Sequence, residues 1–376
     1  MPDKLKLLVS GPYGGLNYGD DAIALAIKDE LQCRGISVTF AVNDVAGARS
    51  LFPDIPILPR LNLRSGRVNI LPHIREYDCI VVGGGEQLSE PRLPNFIWGH
   101  LATNLQLCLL AKLSGKKFAL LAVGVDANLS CLGRFLMRLI LPMADFISVR
   151  DVRSQQRLQK LLQSSEIMLG SDPAFLLEPY SHHHEAKLLK QKYHLPGDTK
   201  TLLIMPCIDK FNSLAYIENI NSAVKEWIAS GIRVFYAVSD TQNSYDMRLF
   251  NERILFTHDM ATWLSPTETG LEEICRTIVA VDCVISSRMH PIIFAAVNQT
   301  PFICLIRSAK MSALMEMLTS PSYFYIEQLD KKELTEKASM ILWQSRTAFF
   351  QPIKPAIETL KQRAAHQFND LTEALI

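Results

Sequence analysis

The feature that most restricts this chain is a rhythm: a short apolar run, a glycine or polar exit, an amphipathic stretch, then another apolar run. Leu5–Ser10 is apolar and opens into the glycine-rich segment Gly11–Gly19. Asp20–Arg34 follows with Ala22, Ile23, Ala26, Ile27 and Leu31 at helical spacing, Gly35 closes it, and Ser37–Ala41 resumes as a strand. Asp20 and Asp21 stand where carboxylates suit the positive end of a helix dipole. Further strands are expected at Cys79–Val82, Lys117–Val123, Phe146–Val149 and from Glu166–Met168, with helices at Leu101–Leu113 and Asp151–Leu162. Strands separated by helices pair in parallel, and open parallel sheets bind ligands beyond the carboxyl ends of their strands.

A second set begins after a polar stretch from Pro179 to Pro196, read as a linker with a short helix and containing His182, His183 and His184. Strands are expected at Thr201–Met205, Arg233–Val238, Cys283–Ser286 and Phe302–Leu305, with helices at Ile217–Ser230, Tyr245–Asn251, Leu271–Ala280 and Pro291–Val297. The tail Phe349–Ile376 has a long amphipathic pattern that Pro355 interrupts. The expected fold class is therefore α/β, with two Rossmann-like domains facing a cleft. The expected boundaries are residues 1–178 (acceptor side), 179–345 (donor side) and a C-terminal helix, 346–376, packing back on the first domain.

At 376 residues and 48% hydrophobic content, the chain can build two cores. A formal net charge of +1 argues against a nucleic-acid partner. Eight cysteines without a CxxC pair read as reduced, mostly buried thiols of a cytoplasmic protein. No signal peptide is read at Met1–Ser10, and the longest apolar stretch, Leu132–Val149, is interrupted by Arg134, Arg138 and Asp145. At most, peripheral contact with the inner face of a membrane is expected; homo-oligomer formation is left open. There is no HExxH, DxD pair or zinc spacing, so neither a metal nor a cofactor is expected.

Four segments can carry chemistry. In Gly11–Asp21, Gly14, Asn17, Gly19 and Asp20 lie between a strand and a helix, where backbone N–H groups can cradle an anion; a tight turn capped by Asn17 or Asp20 is the competing reading. Gly83, Gly84 and Gly85 end an apolar strand and suggest close backbone approach, with Glu86 and Gln87 facing the cleft, or they serve only as a flexible strand exit. In Ser148–Ser154, Arg150 emerges at a sheet edge, able to grip a carboxylate or phosphate, or simply ion-paired. The fourth, Ile285–Ala296, delivers Arg288 and His290 to a helix start, and residues two apart on an extended stretch point the same way; Lys310 follows the next strand. Arginine, lysine and a titratable histidine at helix N-termini make an anion site with a proton carrier. The histidine triplet reads as a solvated linker rather than a metal site. His258, Asp259 and Asp240 are open between lining a cleft and capping turns.

Taken in order, Asn17-Tyr-Gly19-Asp20-Asp21, Gly83–Gly85, Ser148–Ser154, Asp172-Pro173, Arg288–Ala296 and Lys310 resemble the polysaccharide pyruvyl transferase family over most of the chain. Asp21 in place of the usual glutamate, Glu86-Gln87 after the glycines and Pro291 after the histidine depart from the family pattern. The resemblance implies a GT-B-like fold and transfer of pyruvate from phosphoenolpyruvate to a saccharide as a cyclic ketal. It would place the reaction in exopolysaccharide or cell-wall biosynthesis in the cytoplasm, on a lipid-linked or nucleotide-linked acceptor. Arg288 and His290 would be catalytic, and Arg150, Arg288, His290 and Lys310 would bind the donor. Gly14, Asn17, Asp20, Gly84, Gly85 and Glu86 would bind the acceptor. Two other readings of the same pattern stand beside it: a GT-B glycosyltransferase using a nucleotide sugar, and a non-catalytic saccharide-binding homologue.

Overall fold

A computed structural model describes residues 4–61, 71–90, 99–162, 167–208, 214–241, 243–266 and 270–376. The described residues form two sheets, each wholly parallel, in two compact units.

The first unit holds residues 1–15, 20–176 and 360–376. Its strands are β1 (Lys6–Ser10), β2 (Ser37–Val42), β3 (Ile57–Pro59), β4 (Cys79–Gly83), β5 (Lys117–Val123), β6 (Phe146–Val149) and β7 (Met168–Leu169), in the order β3-β2-β1-β4-β5-β6-β7. The helices are α1 (Tyr18–Cys33), α2 (Val45–Leu51), α3 (His100–Leu113), α4 (Cys131–Ile140) and α5 (Val152–Leu162). Strands covered on both faces must be continuous apolar runs, and β4 and β5 are buried almost throughout. Strand order reverses between β1 and β4, so the carboxyl ends Ser10-Gly11 and Gly83-Gly84-Gly85 flank the switch point where such sheets take ligands.

The second unit holds residues 16–19 and 177–359. After α6 (His182–Lys192) come β8 (Thr201–Met205), α7 (Ala215–Ala229), β9 (Arg233–Tyr236), α8 (Ser244–Asn251), β10 (Ala261–Trp263), α9 (Leu271–Ala280), β11 (Cys283–Ser286), α10 (Met289–Val297), β12 (Phe302–Ile306), α11 (Ala309–Leu318), β13 (Tyr323–Tyr325), α12 (Lys331–Trp343), α13 (Arg346–Phe350) and α14 (Lys354–Leu375). The order β10-β9-β8-β11-β12-β13 repeats the first unit's logic and puts the switch point between the ends of β8 and β11.

Several expectations change. The histidine triplet opens helix α6 instead of lying in a solvated linker: Ser181 is the N-cap, and His182 Nδ1 lies 2.8 Å from the Val279 carbonyl. The tail is two helices, and the break precedes Pro355, which occupies the first turn of α14, where a missing N–H costs nothing. The last strand starts at Met168; Glu166 lies outside the described residues. From residue 360 onward α14 belongs to the first unit, where Phe368, Leu371 and Leu375 join the core. Gln367, fully buried there, donates to the Ser171 carbonyl at 2.8 Å and accepts from Ser148 Oγ at 3.1 Å. Six of the eight cysteines are buried; Cys33 and Cys131 are exposed. Among the described residues no helix is long and apolar enough to cross a membrane.

Candidate functional site

In the second unit, β11 ends in a turn built by its own serines. Ser286 Oγ donates to the Met205 carbonyl at 3.0 Å and accepts the Arg288 N–H at 3.0 Å, while Ser287 Oγ accepts the Cys207 N–H at 2.7 Å. These hydroxyls fasten the exit of β11 to the exit of β8 and fix the backbone of Arg288. That residue is the N-cap of α10, extended at φ −109° and ψ 143°, with no side-chain cap on the helix start. His290 follows inside the first helical turn. Both residues therefore lie at one helix start, and not along an extended stretch as the sequence suggested.

Arg288 is held from α8. Asn243 caps that helix, accepting from the Tyr245 and Asp246 N–H groups, which puts Asp246 in the first turn. Asp246 Oδ2 accepts from Arg288 Nη2 at 2.6 Å and Nε at 3.1 Å. The Asp246 side chain is 0% exposed and that of Arg288 16%. Burial pushes the Asp246 carboxyl pKa up, with the guanidinium opposing. Burial pulls the Arg288 pKa down, and Asp246 more than reverses it.

The Asn-x-Gly-Asp segment divides between the units. Residues 16–19 cluster with the second. Tyr18 N–H donates to the Ser239 carbonyl and Thr241 N–H to the Leu16 carbonyl, both at 3.1 Å. Asn17 Nδ2 donates to Asp240 Oδ2 at 3.3 Å, its Oδ1 accepts from the Gly19 N–H, and Asp240 Oδ1 accepts from the Asn243 N–H at 3.1 Å. Asn17, expected on the acceptor side, braces the segment that positions α8 and Asp246. Asp240, left open by the sequence, is part of that brace. A Cβ at Gly19 would lie 1.9 Å from His290 Nδ1, so glycine is what lets the loop pass over the histidine.

A second helix start lies one strand further along. Ser308 is the N-cap of α11 and makes no side-chain cap; its buried Oγ has no partner among the described residues. Lys310, half-buried, sits in that first turn, and Arg307 donates from Nε to the Ser287 carbonyl at 2.9 Å. The sequence reading did not single out Asp246 or Arg307. An Asn followed three residues later by Asp at a helix start was the available signal for Asp246.

The first unit treats its motif residues differently. Arg150 is 5% exposed, with Nη1 3.6 Å from Asp172 Oδ2 and Nε 3.8 Å from Asp151 Oδ2. The Ser-x-Arg-Asp and Asp-Pro segments thus close on one another, and two carboxylates balance the cation expected to grip the donor. Ser148 Oγ accepts the Ala122 N–H at 2.8 Å, stabilising the irregular end of β5, and Asp151 caps α5 by accepting the Ser154 N–H at 2.7 Å. Gly14, at φ +78°, donates its N–H to Asp21 Oδ1 at 2.7 Å, and a Cβ there would strike the Ala48 backbone at 2.4 Å. A Cβ on Gly84 would meet Ile23 at 2.2 Å; on Gly85 it would meet Asp20 Oδ1 at 3.3 Å. So Gly14 and Gly84 serve close packing, while Gly85 and Asp20 border one another. Glu86 is exposed and Gln87 is buried, so they do not face the same way. His258 and Asp259 lie at the β10 edge, where the His258 Nδ1 accepts the Met260 N–H at 3.0 Å.

Three of the solved structures that share the fold illustrate it. The UDP-GlcNAc 2-epimerase of Methanocaldococcus jannaschii, in complex with UDP-GlcNAc and UDP, is 14% identical with a TM-score of 0.58, covering 99% of this chain and 100% of that one. MurG of Acinetobacter baumannii is 12% identical with a TM-score of 0.53, over 98% and 99%. The N-terminal domain of Candida albicans trehalose-6-phosphate phosphatase is 11% identical with a TM-score of 0.62, over 100% of both. The likeness, with the two sheets, makes this a GT-B-like fold of two Rossmann-like units. No curated protein matches the chain in sequence. The model of one family, polysaccharide pyruvyl transferase, matches residues 17–308, a span that includes the Asn17 brace, Arg150, the Arg288 turn and Arg307. This chain belongs to the polysaccharide pyruvyl transferase family.

Proposed function

We propose that the protein transfers the pyruvyl group of phosphoenolpyruvate to two hydroxyls of one saccharide, forming a cyclic ketal. The observation that carries this is the pair of neighbouring helix starts in the second unit, α10 and α11, neither capped by a side chain, with Arg288, Arg307 and Lys310 around them. Phosphoenolpyruvate bears a phosphate and a carboxylate on a three-carbon frame, and uncapped helix starts with guanidinium and ammonium groups suit two anions close together. Arg150 is not part of this donor set.

The chemistry follows from the residues at hand. A protonated His290 gives its proton to the methylene carbon, making a methyl group and an oxocarbenium-like centre next to it. Arg288 and Lys310 neutralise the anions as that charge develops. One sugar hydroxyl adds to the cationic carbon, phosphate leaves with one hydroxyl proton, and the second hydroxyl closes the ketal, returning its proton to His290. Asp246 holds the Arg288 fork in place, and Gly19 leaves room for the imidazole. Asp20, Gly85 and Glu86, in the first unit, are proposed to meet the acceptor.

Thermal shift tests the donor. Phosphoenolpyruvate should stabilise the wild-type protein, and UDP and GDP should not. Stabilisation by the nucleotides alone would favour nucleotide-sugar transfer instead.

A further inference from the structure

The first unit holds a buried cation that the chemistry above does not use. Arg60 follows β3 and is 3% exposed. Its Nη2 donates to Gln87 Oε1 at 3.2 Å and Asn104 Oδ1 at 3.3 Å, both neutral amide oxygens, and its Nε has no partner among the described residues. No described carboxylate lies within ion-pairing distance of it. Among the described residues the other fully buried arginine, Arg150, has two carboxylates. Arg346, which has no carboxylate contact among the described residues, shows what a structural arginine looks like: its two terminal nitrogens reach four oxygen acceptors. A buried charge with two long bonds to neutral groups is costly unless an anion joins it.

Its surroundings point the same way. The guanidinium bonds Asn104, in the second turn of α3, and the N-cap of that fourteen-residue helix, Gly99, offers no side chain to its first N–H groups. His100, the first residue of that helix, is held neutral, its pKa pushed down to about 4 by burial and then by Arg60, with Glu86 opposing. Burial also lowers the pKa of Arg60 itself, to about 10. Gln87 follows the glycine triplet of β4, so the cluster stands at the carboxyl edge of the first sheet, where ligands bind.

We infer that Arg60 and the uncapped start of α3 form a binding site for an anionic group of the acceptor, a phosphate of its carrier or a carboxylate of its sugar. Assigning the anion to the acceptor rests on the pyruvyl-transfer reading; the anion site does not. Gln87 and Asn104 aim the guanidinium, and neutral His100 is left to hydrogen-bond a neighbouring hydroxyl.

The test is calorimetric titration of the full chain with inorganic pyrophosphate and, in a parallel arm, glucuronate, each with phosphoenolpyruvate present. Pyrophosphate binding alone identifies a phosphate, glucuronate alone a carboxylate, and binding of neither overturns the site. Arg60→Met should weaken the bound anion roughly tenfold or more without lowering the melting temperature. Asn104→Asp supplies an internal carboxylate to the same nitrogen; it should raise the melting temperature and weaken the anion to a similar extent. Anion affinity unchanged in both variants, or an Arg60→Met protein that melts well below wild type or does not fold, would make Arg60 a structural residue and refute the inference. Arg288→Ala should leave this binding unchanged, so the pyruvyl-transfer reading can fail while the anion site stands.

Discussion

Replacing Asp246 by asparagine keeps the shape of the side chain and removes the charge that holds Arg288. The wild-type carboxylate receives two N–H bonds from Arg288 on one oxygen, at 2.6 and 3.1 Å, with its own side chain fully buried. Breaking a buried pair costs about 3–5 kcal/mol. Two corrections lower that figure. Arg288 keeps 16% of its side chain exposed and can be partly rehydrated, and the carboxylate is itself penalised by burial, as its raised pKa indicates. A loss of about 2 kcal/mol remains, part of it from an amide NH₂ placed where Oδ1 now has no partner among the described residues. For a unit of this size that is a fall in melting temperature of about 4–8 °C. The second consequence is functional: a freed guanidinium is no longer aimed, and phosphoenolpyruvate should bind about tenfold more weakly by titration calorimetry. Melting within about 1 °C of wild type, together with unchanged donor affinity, would refute the claim that Asp246 positions Arg288.

Four further outcomes are expected. Arg288→Ala and His290→Ala should abolish phosphate release from phosphoenolpyruvate while circular dichroism stays native; turnover at the wild-type rate in either removes the site assignment. Gly19→Ala, whose Cβ would sit 1.9 Å from His290 Nδ1, should displace the imidazole and lower kcat about a hundredfold with the fold intact, measured by coupled phosphate assay. Arg150→Ala should destabilise the first unit by about 3 kcal/mol, leaving Asp151 and Asp172 unpaired, with donor affinity unchanged; a weaker affinity at unchanged stability would return Arg150 to the donor set. Finally, the depressed pKa of His100 makes neutral histidine the folded form. Stability from this group is fully present above the unfolded value of 6.5 and is lost as pH falls toward about 4, so His100→Gln should flatten the melting-temperature profile across that window.

The fold was largely legible because parallel strands buried on both faces are written as unbroken apolar runs. Thr201–Met205, Cys283–Ser286 and Phe146–Val149 were read to the residue. Short or more polar elements escaped: α2, β3 and β13 have few residues to set a period, and α12 is mostly charged on its open faces. At the helix starts of the second unit, Arg288, His290 and Lys310 stood out because each follows a strand that runs into a helix. Their partners were not. Asp246 meets Arg288 across 42 positions and Arg60 meets Gln87 and Asn104 across 27 and 44. Local pattern carries no information on which of many polar residues closes such a distance. The same limit explains Arg150. Its position at a sheet edge was evident, but the two carboxylates that balance it come from a helix cap and from the Asp-Pro turn, and only their joint geometry decides what the guanidinium does.

The claim that the second unit delivers pyruvate to a sugar is tested most directly by mass spectrometry of candidate saccharide acceptors after incubation with phosphoenolpyruvate. With the wild-type protein an acceptor should gain the mass of one pyruvate ketal, with phosphate released in equal amount, and with His290→Ala it should not. Phosphate released with no ketal on any acceptor, or a ketal formed equally well without His290, would contradict it.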